Sequence, residues 1–180
     1  MNGTKPAGGP TQDEVMAVSL FKLGLVSTDA VLEIGCGTGK VSVAIAKTVK
    51  KVYSLDKRPD AISLAKETAR KAGVHNIEFF CTDAVDFLKG DRVFDCAFIG
   101  GTRNLAVIIP VLAERVRRTI VINAVLVDTL EQAVTTLKGL GIFTGVVQVQ
   151  VSRSHEIAGS IMFKPIDPVY VIVARGAACS

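Results

Sequence analysis

Three groups of residues in this chain have the types and spacing that suit the binding of a nucleoside. Glu33-Ile34-Gly35-Cys36-Gly37-Thr38-Gly39 places a glycine at every second position directly after an apolar run. A chain that must turn sharply and bring its N–H groups against a ligand needs residues without a Cβ there. A dinucleotide site would carry G-x-G-x-x-G, with its third glycine at position 40; here Lys40 stands there and the glycine falls at 39. No G-K-[ST] phosphate loop occurs either. Asp56 follows the first glycine by about 20 residues and ends the next apolar run, where a carboxylate can accept both hydroxyls of a ribose. Asp83 and Ala84 stand just past the third run. Each feature alone is common in α/β proteins, but three at three successive strand ends is a specific arrangement.

The elements that must position these residues alternate along the chain. Thr11 to Glu14 reads as a capping box, with Thr11 as N-cap and Glu14 reaching back, opening a helix that Gly24 ends. Strands are expected at Ala30 to Ile34, Lys51 to Leu55, Ile77 to Cys81, Val93 to Ile99 and Thr119 to Val125. Helical stretches are expected at Val41 to Val49, Pro59 to Ala72, Leu105 to Arg115 and Asp128 to Leu140. Such alternation implies a parallel sheet with helices on both faces. Val147, Val149 and Val151 then alternate with glutamines, and Pro168 to Ala174 forms another strand with no helix before it. These two predict an antiparallel hairpin at one edge. The fold class is therefore α/β, a doubly wound Rossmann-like sheet of seven strands, mostly parallel, with an antiparallel C-terminal hairpin. Residues 1–10, rich in Gly and Pro, read as a flexible tail ahead of one domain over residues 11–180.

Composition narrows the partners. The net charge of +4 is mild and its cations are scattered, while only 6% of residues are aromatic and none is Trp. Base-stacking platforms are thus poorly supplied, and no nucleic acid partner is expected. The longest apolar run, Leu105 to Ala113, is too short to span a bilayer and holds Pro110, so no membrane partner is expected. No secretion signal opens the sequence. Cys36, Cys81, Cys96 and Cys179 form no C-x-x-C pair and have no histidine at zinc spacing. Reduced thiols in a soluble cytoplasmic protein, and no metal site, are the expectation.

The pattern E-x-G-x-G-x-G resembles the cofactor loop of Rossmann-like methyltransferases, which use S-adenosyl-L-methionine. In those families the residue at Asp83 faces the adenine. The segment after the fourth strand usually faces the transferred methyl, and here it reads Phe98-Ile99-Gly100-Gly101-Thr102-Arg103. It is not the N/D-P-P-Y/F loop of amino-methylating nucleic-acid enzymes, and no Pro-Cys pair offers a thiolate. Gly100 and Gly101 suit a broad, flat acceptor lying close to the backbone; they would also serve simply to cap the strand.

At this point the chain resembles the decarboxylating cobalt-precorrin-6B C(15)-methyltransferases of cobalamin biosynthesis. The likeness runs from Gly9 to Val173. It rests on Gly9-Pro10-Thr11, the loop Gly35 to Gly39, Val52 to Asp56, Asp83-Ala84, Ile99-Gly100-Gly101, Val121 to Leu126, and Arg153 with Met162 and Pro168-Val169. After Gly101 the chain departs from the family, with Thr102-Arg103-Asn104 in place of a longer glycine stretch. The resemblance implies cofactor contacts at Thr11, Glu33, Gly35, Cys36, Gly37, Thr38, Gly39, Asp56, Asp83 and Ala84, with Thr11 also a lid. It implies methylation of a meso carbon of a cobalt-precorrin, with an acetate carboxyl released as carbon dioxide. The tetrapyrrole is a polycarboxylate, so Gly100, Gly101, Arg103 and Arg153 are its candidate contacts, with His155 and Lys164 behind them. Arg153 is expected to begin the loop between the last two strands. Ile161-Met162-Phe163 in that loop are expected to pack between subunits, since the family forms homotetramers. Two other readings stand beside this one: an RNA methyltransferase acting at an adenine ring nitrogen, and a non-catalytic cofactor-binding subunit.

Overall fold

The computed structural model describes residues 11–176. The tail expected over 1–10, the Gly9-Pro10 part of the likeness and Cys179 lie outside them. The elements run α1 (Asp13–Leu23), β1 (Ala30–Ile34), α2 (Lys40–Ala46), β2 (Lys51–Asp56), α3 (Pro59–Lys71), β3 (Ile77–Cys81) and α4 (Ala84–Phe87). They continue with β4 (Phe94–Ile99), α5 (Leu105–Arg115), β5 (Val116–Ala124), α6 (Val127–Gly139), β6 (Phe143–Ile157) and β7 (Ser160–Arg175). One seven-stranded sheet holds them in the order β3-β2-β1-β4-β5-β7-β6. The first five strands are parallel, and β7 is antiparallel to both β5 and β6.

The inner strands are apolar on both faces because both faces are covered. Leu32, Ala97, Ile99, Ile120 and Ile122 pack on α5 and α6 through Ile108, Ile109, Leu112, Ala133 and Leu137. Their neighbours along the strands, Val31, Val52, Phe98 and Val121, face the other way, onto Val15 and Leu23 of α1 and Val41 and Ile45 of α2. No helix among the described residues is long and apolar enough to cross a membrane.

Three local expectations are corrected. The N-cap of α1 is Gln12, not Thr11, and no side chain caps it. Glu14 does not reach back; its carboxylate takes two bonds from Arg153, Nη2 to Oε2 at 2.7 Å and Nε to Oε1 at 3.2 Å. A two-pronged guanidinium is a stronger partner for a carboxylate than one neutral backbone N–H. The single-turn α4 went unread because four residues are too few to show a helical period. Finally, the hairpin is much longer than its alternating segment: β6 and β7 pair from Phe143↔Ala174 out to Ile157↔Ser160, and Ala158 and Gly159, both at positive φ, make the turn. Arg153 and Ile161 to Phe163 therefore lie on strands, not in a loop.

The ladder between β5 and β7 ends at Ala124↔Tyr170. Because β7 runs antiparallel, its residues before Tyr170 project beyond the carboxyl end of β5, as a two-stranded ribbon. This is the same end of the sheet at which the glycine loop and Asp56 stand.

Candidate functional site

The carboxyl ends of β1, β2 and β4 and the loop after β3 open on a cleft of about 430 Å³. Of the residues singled out from the sequence, it gathers Thr11, Glu33, Gly35, Cys36, Gly37, Thr38, Asp56, Asp83, Ala84, Gly100, Gly101 and Arg103 along its walls. Gly39 and Arg153 are not among the lining residues.

The glycine loop is shaped by two close approaches. Gly35 has φ +84°, and a Cβ on it would stand 2.5 Å from the N and 2.8 Å from the Cα of Gly101. The N–H groups of Gly100 and Gly101 both donate to the Ile34 carbonyl, at 2.8 and 3.0 Å, while Gly35 N–H donates to Leu55 O at 2.8 Å. The loops after β1 and β4 are thus joined backbone to backbone, which accounts for glycines at 100 and 101 without any flat ligand. Gly39 serves differently. A Cβ there would lie 2.7 Å from Ala65 Cα, so this glycine lets α2 close on α3 and does not face the cleft. Around Gly37 the nearest atom to such a Cβ is 3.9 Å away, leaving the space beside it open to an approaching ligand.

Asp56 ends β2 with its carboxylate fully engaged. Oδ2 accepts from Gly37 N–H at 3.0 Å and from Arg58 Nη2 at 3.1 Å; Oδ1 accepts from Arg58 N–H at 3.0 Å and Nε at 3.1 Å. Burial alone would raise this carboxyl, but the Arg58 guanidinium and the two backbone donors outweigh it and hold it below its usual range. A carboxylate offers about four acceptor positions, and all are filled. A ribose that takes two of them must displace the guanidinium, while the two backbone donors stay.

Glu33 lies at the cleft floor, 1% exposed. Its Oε2 accepts from the hydroxyls of Ser42 on α2 and Ser54 on β2. Burial pushes the carboxyl up to about 7, against the downward pull of the two hydroxyls. Cys36 turns its side chain towards Ile62 and Ala65, and burial pushes its thiol up to about 12. It stays protonated and is no nucleophile. Asp83 caps α4, with Oδ1 accepting from Val85 N–H at 2.9 Å, and so fixes the wall that carries Ala84.

Three cations at the cleft escaped the sequence reading: Lys40, Lys57 and Arg58. Lys40 and Arg58 each follow a selected motif within two residues, which was the available signal. The projecting ribbon carries the remaining candidates, outside the cleft lining. Arg153 sits opposite Lys164 and His155 opposite Met162, so these four share one ribbon face, while Ile161 and Phe163 occupy the other. Arg103 is exposed at the cleft mouth.

A model of the precorrin methyltransferase domain matches residues 5–175. A probable cobalt-precorrin-6B C(15)-methyltransferase (decarboxylating) from Methanosarcina mazei is 40% identical over 174 residues, covering 94% of this chain and 95% of that protein. The solved structure of a precorrin-8W decarboxylase from Methanobacterium thermoautotrophicum superposes with a TM-score of 0.89 at 26% identity, covering 93% of this chain and 92% of the other. That of a precorrin-6Y C5,15-methyltransferase from Geobacter metallireducens gives 0.87 at 30% identity, covering 92% and 90%. With its doubly wound sheet, its glycine loop and a family match across almost its whole length, this chain belongs to the precorrin methyltransferase family.

Proposed function

We propose that the chain methylates a meso carbon of a cobalt-precorrin, using S-adenosyl-L-methionine, and releases the carboxyl of an acetate side chain as carbon dioxide. The observation that carries this reading is the direct contact between Gly35 and Gly101, which puts the nucleoside loop and the loop after β4 on one cleft wall. The bound cofactor supplies a methyl group already activated on a sulfonium. The chain's own residues then have the task of alignment. Thr38 and the open space beside Gly37 would admit the cofactor, Asp56 would accept the ribose hydroxyls in place of Arg58, and Ala84 would give the adenine a small side chain to lie against. The conjugated macrocycle provides an electron-rich carbon, so no strong protein nucleophile is required, in keeping with the protonated Cys36.

Arg103 at the cleft mouth, and the ribbon face bearing Arg153, His155 and Lys164, suit the carboxylates of such a substrate. Arg153 holds Glu14 through Nε and Nη2, so it would serve a substrate carboxylate through its remaining N–H donors or by exchanging Glu14. Ile161, Met162 and Phe163 are 72%, 47% and 67% exposed. Ile161 and Phe163, together on one face of the projecting ribbon with Met162 behind them, suit burial between subunits of a homotetramer.

Incubation with labelled cofactor and a purified precorrin intermediate tests the reaction: the product should gain one methyl group and lose carbon dioxide. Calorimetry should show binding of S-adenosylhomocysteine and none of NAD; a preference for NAD would sink the reading. Asp56→Ala should weaken S-adenosylhomocysteine about ten- to a hundredfold, the worth of a charged acceptor for two hydroxyls. It should also lower stability, since Gly37 N–H and Arg58 lose their acceptor. An unchanged dissociation constant would make Asp56 a polar strand end held by Arg58 and nothing more.

A further inference from the structure

Lys40 is the first residue of α2, a position where a cation meets the positive end of the helix macrodipole. Its ammonium turns away from that end and spans to the start of α1, with Nζ 2.7 Å from Asp13 Oδ1 and 3.4 Å from the Thr11 carbonyl oxygen. An ammonium has three donors and can hold both acceptors together. Lys40 and Thr11 both line the cleft. Helix α1 is itself anchored by Val15 and Leu23 in the core, but Thr11, which lines the cleft, precedes it and lies ahead of those anchors.

We propose that Lys40 is a positioning residue for the reaction: it fastens the Thr11 segment across the cleft mouth, through Asp13 and the Thr11 carbonyl, and so sets how tightly the cofactor is covered. This rests on the reading of the cleft as the cofactor site. Lys40 acts through α1 and makes no contact of its own with the ligand. The bridge joins the far end of the glycine loop to the first turn of α1, so the two sides of the mouth move together. Asp13 is suited to the arrangement, since its carboxylate also favours the N-terminus of α1.

The test is a double-mutant cycle on S-adenosylhomocysteine binding, read by calorimetry, with steady-state kinetics beside it. Lys40→Met and Asp13→Asn should each raise the dissociation constant and the cofactor KM about fivefold, leaving kcat within about twofold. The double variant should be no weaker than either single one. Lys40→Arg should retain most of the affinity, because a guanidinium also reaches both acceptors. Melting temperatures should stay close to wild type, as both side chains are substantially exposed. Two results overturn the inference alone: wild-type binding that Lys40→Met leaves unaltered, or a loss in Lys40→Met that Asp13→Asn does not share and that adds in the double variant. The second would mean that Lys40 touches the ligand directly. A wild-type chain that does not bind S-adenosylhomocysteine overturns the reading of the cleft, and this inference with it.

Discussion

Gly35→Ala should destabilise the fold by about 3–5 kcal/mol and abolish measurable cofactor binding. Two separate penalties meet at this residue. Its φ of +84° lies where L side chains rarely go, and holding one there costs about 1–3 kcal/mol. The new methyl group would also stand 2.5 Å from Gly101 N, which is backbone and cannot swing aside. Overpacking of that kind costs roughly 1–3 kcal/mol more. Relief requires the loops after β1 and β4 to part, and the bonds from Gly100 and Gly101 to the Ile34 carbonyl would go with them. For a chain of this size the melting temperature should fall by about 10 °C. Gly37→Ala is the control. It shares the positive φ but has no atom closer than 3.9 Å, so it should lose far less stability. Equal losses for the two variants would show that backbone conformation alone matters and that the contact with Gly101 is incidental.

Glu33→Gln should change the pH dependence of stability and not merely its level. The folded carboxyl titrates at about 7, against 4.5 in its ordinary state, because it is buried. Below the unfolded value both states hold the proton and the group is neutral in its effect. Between pH 4.5 and 7 the unfolded chain ionises first, so stability falls as pH rises, and above pH 7 the full penalty applies. The shift corresponds to on the order of 3 kcal/mol. Glutamine keeps an acceptor oxygen for Ser42 and Ser54 but has no proton to lose. Urea melts of both proteins should therefore agree below pH 4.5 and diverge up to pH 8, with the variant the more stable. Asp56 and Cys36 feel the Glu33 charge, but both titrate outside this window, and the remaining groups are common to the pair and cancel in the difference. Parallel profiles would mean that Glu33 ionises in the fold as it does in water.

The parallel core was legible because buried strands such as Val31 to Ile34 and Ala97 to Ile99 appear as short apolar runs between turn residues. The positions of Gly35, Asp56, Asp83 and Gly100 followed from those strand ends, since each stands at or just beyond one. What stayed hidden depends on long side chains that find their partners only in three dimensions. Nothing local ties Lys40 to Asp13 or Arg153 to Glu14, and the latter pair displaced a capping box that the local sequence favoured. The outer half of β6 and β7 was invisible for another reason. Exposed on both faces, it has no buried side to impose a period of two. Gly100 and Gly101 were visible, but their closest neighbour, Gly35, is distant in sequence, so the role of that contact could not be read.

The strand order also governs when the domain can close during synthesis. β7 follows β6 along the chain yet lies between β6 and β5. When β6 leaves the ribosome it has no seat, and the outer edge of β5 from Thr119 to Ala124 stays bare until β7 emerges. A hairpin with a two-residue turn forms in microseconds, whereas translation adds about 5–20 residues per second. The ribbon therefore folds as soon as its second strand is out, and docks on β5 as a finished unit. Until that moment the nascent chain carries an unpaired apolar edge of the kind that chaperones cover and neighbouring chains can capture. A ribosome that stalls before Ser160 leaves five paired strands with the β5 edge bare and β6 unseated until β7 follows.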